Sequence, residues 1–173
     1  MYGSPVLREK AVPVDKVDGR IKRLAKDMLE TMYGSRGIGL AAEQIGRTES
    51  ILVIDVSGAR EGDDKDEPQK CPDAPMPLVM INPEIIDSRG EQTGREGCLS
   101  FPEVCVPVTR AAEITATYLD VDNKEKTIRA TALLARVIQH EVDHLNGVLM
   151  IDHISPVQKI AIAGQLKRLK RGK

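Results

Sequence analysis

The sequence predicts an α+β fold, because strand-like segments are mixed with three helical segments without a regular β-α-β alternation. The helical segments carry apolar residues at the spacing of an amphipathic helix, and the clearest strands alternate apolar and polar residues. A chain of 173 residues is long enough to bury one core, so we expect a single domain over residues 1–173. Aromatic residues are only 2% of the chain, so that core must be aliphatic.

Composition limits the classes of function. The hydrophobic content of 41% and charged content of 29% are typical of a soluble globular protein, and the net charge of -1 provides no field to recruit DNA or an acidic membrane. No apolar run approaches the ~20 residues that span a bilayer, and the first residues do not have the pattern of a signal peptide. We therefore expect a cytoplasmic or organelle-matrix location, where Cys71, Cys98 and Cys105 would be thiols or metal ligands rather than disulfides.

Glycine and proline punctuate the N-terminal half of the chain. The stretch Gly37–Gly46 has so little side-chain bulk that another group can approach its backbone, although an ordinary glycine-rich turn has the same composition. In chain order, we predict an extended segment over residues 5–14 and then an amphipathic helix from about Asp15 to Gly34. A buried strand follows over Ser50–Val56, and residues 57–77 form a surface loop in which Cys71 has no particular role. Two further strands, Leu78–Asn82 and Glu84–Asp87, lie on either side of Pro83.

The C-terminal half begins with a second glycine-bounded segment, residues 94–102. Beyond it we predict strands over residues 104–109, 113–119 and 126–130, with a hairpin turn over 121–124. A helix then runs from about Ala132 to Asn146 and ends before Gly147. A last helix has Ser155 as its N-cap, Pro156 at its first position and Gln158 in a capping box. That helix ends in the basic run 167–173, which is favourable for a helix C-terminus and is also able to contact ribosomal RNA.

Within the predicted second helix, the run His140-Glu141-Val142-Asp143-His144 has the pattern H-E-x-x-H. Residues four apart share a helix face, so both imidazoles can reach one metal ion while Glu141 reaches a water bound to it. Three fixed residues also occur by chance in helices, where they would be ordinary surface groups. Two of the three histidines of the chain lie in this run, which favours metal binding.

A catalytic metal site usually has three protein ligands and one open position, and Cys98 is the better candidate for the third ligand. It lies between Gly97 and Leu99, where a thiolate is accessible, and a thiolate with two imidazoles suits Zn²⁺ or Fe²⁺. His153 follows the helix on a predicted turn and is a weaker candidate. Taken alone, a cytosolic cysteine is more commonly a small buried thiol.

Three segments together resemble the signature motifs of the peptide deformylases. In order they are Gly37-Ile38-Gly39-Leu40-Ala41-Ala42-Glu43-Gln44, Glu96-Gly97-Cys98-Leu99-Ser100 and Gln139-His140-Glu141-Val142-Asp143-His144-Leu145-Asn146-Gly147. Their spacing also fits, and the resemblance runs from about residue 5 to residue 160. It implies an α+β fold in which antiparallel sheets wrap around a central helix bearing the H-E-x-x-H motif, with an N-terminal and a C-terminal helix.

The resemblance also implies a function, which is metal-dependent removal of the formyl group from the N-terminal formyl-methionine of new polypeptides, with release of formate. The cofactor would be one divalent ion, Fe²⁺ in the cell, with Zn²⁺, Ni²⁺ or Co²⁺ able to replace it in purified protein. The implied roles are metal ligands for Cys98, His140 and His144, general acid/base for Glu141, oxyanion donors for Gln44 and the backbone N–H of Leu99, and a substrate-channel lining for Gly39. For the methionine side chain, suitable pocket candidates are Ile38, Leu133 and Val137.

Several charged residues lie in or near the three motifs. Glu43 stands where members of the family commonly have an uncharged residue such as Pro or Thr, and we expect it to add a negative charge beside Gln44. Asp143 and Glu96 could pair with Arg110 behind the metal site, although solvated surface charges are the more usual outcome.

Two other interpretations remain open at this point. A metallopeptidase of another type would need a distal Glu or His as third ligand, and a binding module with a structural metal would need a fourth ligand. Cys105 is seven residues from Cys98 in a predicted strand, so it is not an obvious fourth ligand.

Overall fold

The structure, a computed structural model, describes residues 1–59 and 75–171. Most of the predicted surface loop, Cys71 and the last two residues lie outside the described residues. In chain order the elements are helix α1 (Gly19–Gly34), strands β1 (Gly39–Ala41), β2 (Ile51–Ile54), β3 (Leu78–Arg89), β4 (Gln92–Cys98), β5 (Phe101–Arg110), β6 (Glu113–Leu119) and β7 (Glu125–Thr131), and helices α2 (Ala132–Leu145) and α3 (Pro156–Lys170).

The strands form two antiparallel sheets, as the predicted α+β class requires. Five strands pair in the order β1-β2-β3-β6-β7, and β4 pairs with β5 in a separate two-stranded sheet. The β6–β7 hairpin pairs Glu113 with Thr131 and continues without a break to Leu119 opposite Glu125. Strands 113–119 and 126–130 and the turn between them were therefore predicted to within a residue.

Strand β2 lies between two helices. Its alternate residues Leu52 and Ile54 pack in the same core cluster as Leu134 and Ile138 of α2. The intervening residues of β2 face the opposite side, in the cluster that holds Ile21 of α1. Because β2 is buried on both faces, it is apolar throughout rather than alternating.

A third apolar cluster joins the two-stranded sheet to the C-terminal helix. It contains Phe101 and Val106 of β5, with Ile162, Leu166 and Leu169 of α3 packed against it. Helix α2 packs on the five-stranded sheet, and its residues 134–138 are all buried.

Helix boundaries follow their caps. The carboxylate of Asp18 accepts hydrogen bonds from the backbone N–H groups of Arg20 and Ile21, so α1 begins at Gly19 and the predicted start at Asp15 was wrong. The predicted cap of α3 is confirmed, because the Ser155 hydroxyl accepts from the Gln158 N–H.

Other boundaries are confirmed or corrected in detail. Gly147 ends α2 with φ of 70°, the left-handed conformation that favours glycine. Residues Pro5–Arg8 form a 3₁₀ turn, so the extended segment predicted there was wrong over those residues. The glycine-rich stretch contains β1 followed by the 3₁₀ turn Ala42–Ile45. No described helix is both long enough and apolar enough to cross a membrane.

The strand predicted to break at Pro83 does not break. β3 continues across it with a register shift between Ile81 and Glu84, and Asn82 adopts a φ of 50°. A bulge absorbs the proline because the missing N–H falls where the ladder is already irregular. The second glycine-bounded segment, to which no secondary structure was assigned from the sequence, is largely a strand, since β4 runs through Gly94 and Gly97.

Candidate active site

Two elements bring the predicted metal ligands together. His140 and His144 are on one face of α2, and Cys98 lies at the end of β4, where the ladder with β5 shifts register after Gly97. Ligand atoms of the three side chains all lie within 4.8 Å of one another. The sulfur of Cys98 is 3.2 Å from Nε2 of His144, and the two imidazole rings meet edge to face at 5.0 Å between centroids.

The donor set fits a divalent metal with a free coordination position. One thiolate and two imidazoles suit Zn²⁺ or Fe²⁺, and three protein ligands are typical of a catalytic rather than a structural site. Within residues 1–59 and 75–171, no fourth His, Cys, Asp or Glu joins the group. Nδ1 of His140 is 2.9 Å from Oε2 of Glu96, which leaves Nε2 of that ring for a metal.

An ion-pair network behind the site holds His140 in place. Both carboxylate oxygens of Glu96 accept from Arg110, at 2.6 and 3.0 Å, and Arg110 also donates to Asp143 at 2.8 Å. The predicted pairing of Glu96 and Asp143 with Arg110 is therefore confirmed. Asp143 continues the network to Nε2 of His153, at 2.7 Å, so the third histidine lies outside the ligand group.

Burial and charge set the proton affinities of these groups. Burial alone would raise the pKa of Glu96, but its hydrogen bonds to His140 and Arg110 outweigh burial and hold that pKa at about 2. Burial opposes a charge on His140, yet its hydrogen bonds to Cys98 and Glu96 raise its pKa. The pKa of His144 is lowered by burial and by the neighbouring His140. The network therefore keeps Glu96 ionised to orient His140.

Glu141 lies in contact with the first glycine-rich segment. Its side chain is buried, and Oε2 has no hydrogen-bond partner among the described residues. A Cβ on Gly39 would overlap Oε1 of Glu141 and lie 2.9 Å from Cγ1 of Val137, so only glycine leaves room for this carboxylate. Burial raises the pKa of Glu141 to about 7, against the opposing charges of His140 and Arg110. A carboxyl with that pKa can both accept and return a proton near neutral pH.

The amide of Gln44 reaches the metal ligands. Its Oε1 accepts the backbone N–H of Ala41 at 2.7 Å, which fixes the orientation of the amide. Its Nε2 is then directed at the sulfur of Cys98, 3.4 Å away. Leu99 follows Cys98, and a Cβ on Gly37 would lie only 2.8 Å from its Cδ1, so the two glycine-bounded segments approach closely there.

These residues line one cavity of about 590 Å³, a size suited to a small ligand or the end of a peptide. All four predicted substrate-binding residues, Ile38, Gly39, Leu133 and Val137, are among its walls, together with Gln44, Leu99, Cys98, His140 and Glu141. His144 is not among the lining residues, because it lies behind the others and is only 1% exposed. Further wall residues were not predicted from the sequence, namely Arg36, Arg95, Phe101, Pro102, Glu103, Val104, Cys105 and Arg136. Their adjacency to the two glycine-bounded segments was the signal that could have found them.

The burial of Glu43 argues against the negative charge that was expected on its side chain. Its side chain is 1% exposed, and neither carboxylate oxygen receives a hydrogen bond from another described residue. Burial raises its pKa to about 8, opposed by its own backbone N–H and reinforced by the charges of Glu141 and Glu49. Glu43 is therefore mostly protonated at pH 7, and the expectation of a negative charge beside Gln44 was wrong.

Comparison with known proteins places this site in a family. The sequence model described as Polypeptide deformylase matches residues 1–160. The chain is 46% identical over 170 residues to the peptide deformylase of Nitrosococcus oceani, covering 98% of this chain and 93% of the relative. It is also 46% identical over 170 residues to the peptide deformylase of Agrobacterium fabrum, with the same two coverages.

Solved structures agree with the sequence comparisons. A peptide deformylase from Legionella pneumophila superimposes with a TM-score of 0.81 at 40% identity, covering 96% of this chain and 90% of the other. The peptide deformylase of Thermus thermophilus gives a TM-score of 0.83 at 37% identity, covering 99% and 96%. The chain therefore belongs to the polypeptide deformylase family, and the implied α+β fold and a hydrolase with a catalytic metal ion are confirmed.

Proposed function

We propose that this protein removes the formyl group from the N-terminal formyl-methionine of newly made polypeptides and releases formate. The observation that carries the proposal is the convergence of Cys98, His140 and His144 within 4.8 Å, with the buried carboxylate of Glu141 on the same helix. The match over residues 1–160 supports one catalytic domain spanning residues 1–173, and the family assignment decides against the metallopeptidase and structural-metal alternatives.

Cys98, His140 and His144 would hold one divalent ion, which when bound supplies Lewis acidity and an activated water. Fe²⁺ is the proposed ion in the cell, because a thiolate with two imidazoles suits it and the resemblance implies it. Thiolate-ligated Fe²⁺ oxidises readily, so purified protein would more often carry Zn²⁺, Ni²⁺ or Co²⁺. Glu96 keeps the ring of His140 oriented toward the ion.

Glu141 is the general base and then the general acid of the proposed reaction. Its carboxylate takes a proton from the water that attacks the formyl carbon, and it returns that proton to the methionine nitrogen as the C–N bond breaks. Burial raises the pKa of this carboxyl above its ordinary value, which favours the return of the proton to the leaving nitrogen. The products are formate and a free N-terminal amine.

Gln44 and the backbone N–H of Leu99 would stabilise the negative charge that develops on the formyl oxygen. Support for Gln44 comes from its fixed amide, whose Nε2 donor lies 3.4 Å from the sulfur of Cys98. Losing one such donor typically lowers kcat by about 10²–10³. The apolar side chains of Ile38, Leu133 and Val137 would receive the methionine side chain.

We also propose that the C-terminal helix α3 contacts the ribosome. The last turn of α3 carries Lys167, Arg168 and Lys170, while its inner face packs against the cluster around Phe101. Basic side chains on an exposed helix suit ribosomal RNA. Ribosome pelleting of a chain lacking residues 167–173 should fall, and unchanged pelleting would remove this contact. A cytoplasmic or organelle-matrix location goes with such a partner.

Formate release from formyl-Met-Ala-Ser by protein purified anaerobically tests the function. The wild type should release formate and carry about one metal per chain. Cys98→Ala should lose both metal and activity. Cys105→Ala is the control for metal binding, because this exposed thiol lines the same cavity but lies outside the ligand group, so its loss should leave the metal in place. Absence of formate with iron, nickel or cobalt bound would refute the proposal.

A further inference from the structure

The cavity of the site has a buried end and an open end. The buried end holds His140 and Glu141, which are only 8% and 4% exposed. The open end is formed by exposed residues, among them Arg36, Arg95 and Glu103. Because the reacting group is the first residue of a peptide, the residues after it must leave through the open end and pass these side chains.

Arg36 and Arg95 come from different walls of that opening. Arg36 lies between α1 and β1, directly before Gly37, in a turn with φ of 56° whose backbone N–H donates to the carbonyl of Tyr33 at 3.0 Å. Arg95 is in β4, three residues before Cys98. The walls themselves touch where Leu99 packs on Gly37. Both arginines line the cavity, so a peptide chain leaving the site passes along walls that carry them.

Neither arginine has a carboxylate partner within 4 Å among the residues that the structure describes, in contrast to Arg8, Arg89 and Arg129, which all pair with an acid. Of the acidic residues that line the cavity, Glu96 is engaged by Arg110 and His140, and Glu141 is buried at the reaction centre. Among the cavity residues that the structure describes, that leaves one exposed carboxylate, Glu103, and two exposed guanidinium groups with no ion pair to another described residue.

We propose that Arg36 and Arg95 are specificity-determining residues that bind acidic side chains in the two positions after the formyl-methionine. The enzyme would then process formyl-methionyl peptides with Asp or Glu at these positions faster than those with Lys. This selectivity rests on the deformylase function proposed above. The guanidinium groups contact the substrate away from the reacting atoms, so the preference should appear in KM while kcat changes little.

The test compares C-terminally amidated peptides, so that no terminal carboxylate contributes. Formate release is measured for formyl-Met-Ala-Ser, formyl-Met-Asp-Ser and formyl-Met-Lys-Ser, which vary the first position after methionine. It is also measured for formyl-Met-Ala-Asp and formyl-Met-Ala-Lys, which vary the second. We expect kcat/KM for the acidic peptide to exceed that for the lysine peptide by about threefold at each of the two positions at low salt, as for one exposed ion pair at each. At about 1 M salt the Debye length falls to about 3 Å, and the ratio should drop below about twofold.

Variants assign the preference to the two side chains. In the double variant that carries both Arg36→Gln and Arg95→Gln, the ratio of kcat/KM for the acidic peptides to kcat/KM for the lysine peptides should be close to one. The single variant Arg95→Glu should invert this ratio. Glu103→Gln should increase the ratio. Arg23→Gln changes an exposed arginine of α1 that does not line the cavity, and should leave the ratio as in the wild type.

Using the ratio within each variant cancels any loss of folded or metal-loaded protein. The inference is overturned if the wild type releases formate from all peptides at equal kcat/KM, or if the preference survives in the Arg36→Gln, Arg95→Gln protein. It is also overturned if the preference resides in kcat and does not respond to salt. No formate from any peptide would instead refute the underlying function, and the specificity with it.

Discussion

Replacing Glu43 with glutamine should stabilise the protein at neutral pH. The side chain of Glu43 is 1% exposed, and burial raises its pKa from 4.5 to about 8. In the unfolded chain this carboxyl ionises near its ordinary pKa. Between these two pKa values the folded protein retains a proton that the unfolded chain has released, so wild-type stability falls as the pH rises through this window.

The magnitude follows from the width of the window. At pH 7 the unfolded carboxyl is about 2.5 pH units above its pKa, and each unit is about 1.36 kcal/mol, which gives a penalty of about 3 kcal/mol. Glutamine has nearly the shape of the protonated acid but cannot ionise, so Glu43→Gln should remove this penalty at pH 7. For a protein of this size the gain corresponds to a rise in Tm of about 6–12 °C. At pH 4.5 the two proteins should differ by less than about 0.5 kcal/mol.

The assay is urea and thermal unfolding of both proteins between pH 4.5 and 8, with chelator present so that metal release at low pH adds nothing to the slope. Other titrating groups cancel in the difference between wild type and variant. Glu30→Gln is the matched control, because Glu30 is an exposed glutamate of α1 that pairs with Lys26, and its change should be below about 0.5 kcal/mol at every pH.

A difference in unfolding free energy that stays constant from pH 4.5 to 8 would refute the reasoning, since it would mean that the folded protein and the unfolded chain ionise Glu43 at the same pH. A Glu43→Gln protein less stable than the wild type at pH 7 would also refute it.

Three further predictions concern the site. Glu96→Gln leaves His140 with a weaker hydrogen-bond partner, so chelator competition should report a 10–100-fold loss of metal affinity. Gly39→Ala would place a Cβ against Oε1 of Glu141, so kcat should fall by at least about tenfold while the metal content, measured by elemental analysis, is kept. Gln44→Ala removes the proposed oxyanion donor, and steady-state formate release should show kcat lowered by about 10²–10³.

Each of these has a result that would count against it. Unchanged affinity in Glu96→Gln would mean that the packing of α2 alone positions the imidazole. Full turnover in Gly39→Ala would mean that Glu141 can move without loss, which disagrees with a base fixed by contact. A Gln44→Ala protein with normal kcat would leave the oxyanion to other donors.

The local periodicity of the sequence was enough to place α2, the β6–β7 hairpin and the cap of α3. These elements depend on interactions between residues close in the chain, which a pattern records directly. The strand across Pro83 was missed because a bulge depends on pairing with β6, far along the chain. The strand β4 was missed because its glycines resemble a loop, and only the partner β5 makes them a ladder.

The convergence of Cys98, His140 and His144 could be predicted because each is a fixed residue of a motif. The partners of Arg110, Glu96 and Asp143, lie in the same motifs. The state of Glu43 could not be predicted, since its burial depends on how the 3₁₀ turn after β1 packs into the fold. Arg36 and Arg95 were missed for a related reason. Exposed arginines are ordinary in a sequence, and only the walls of the cavity bring these two to one opening.

The most direct test of the account is formate release from formyl-Met-Ala-Ser by Glu141→Gln protein, with metal content measured on the same sample. Glutamine keeps the size of the side chain next to Gly39 but cannot take a proton. The account predicts about one metal per chain, as in the wild type, and formate release lowered by about 10²–10⁴. Turnover near the wild-type rate with the metal in place would contradict the role of Glu141, and with it the mechanism proposed for this site.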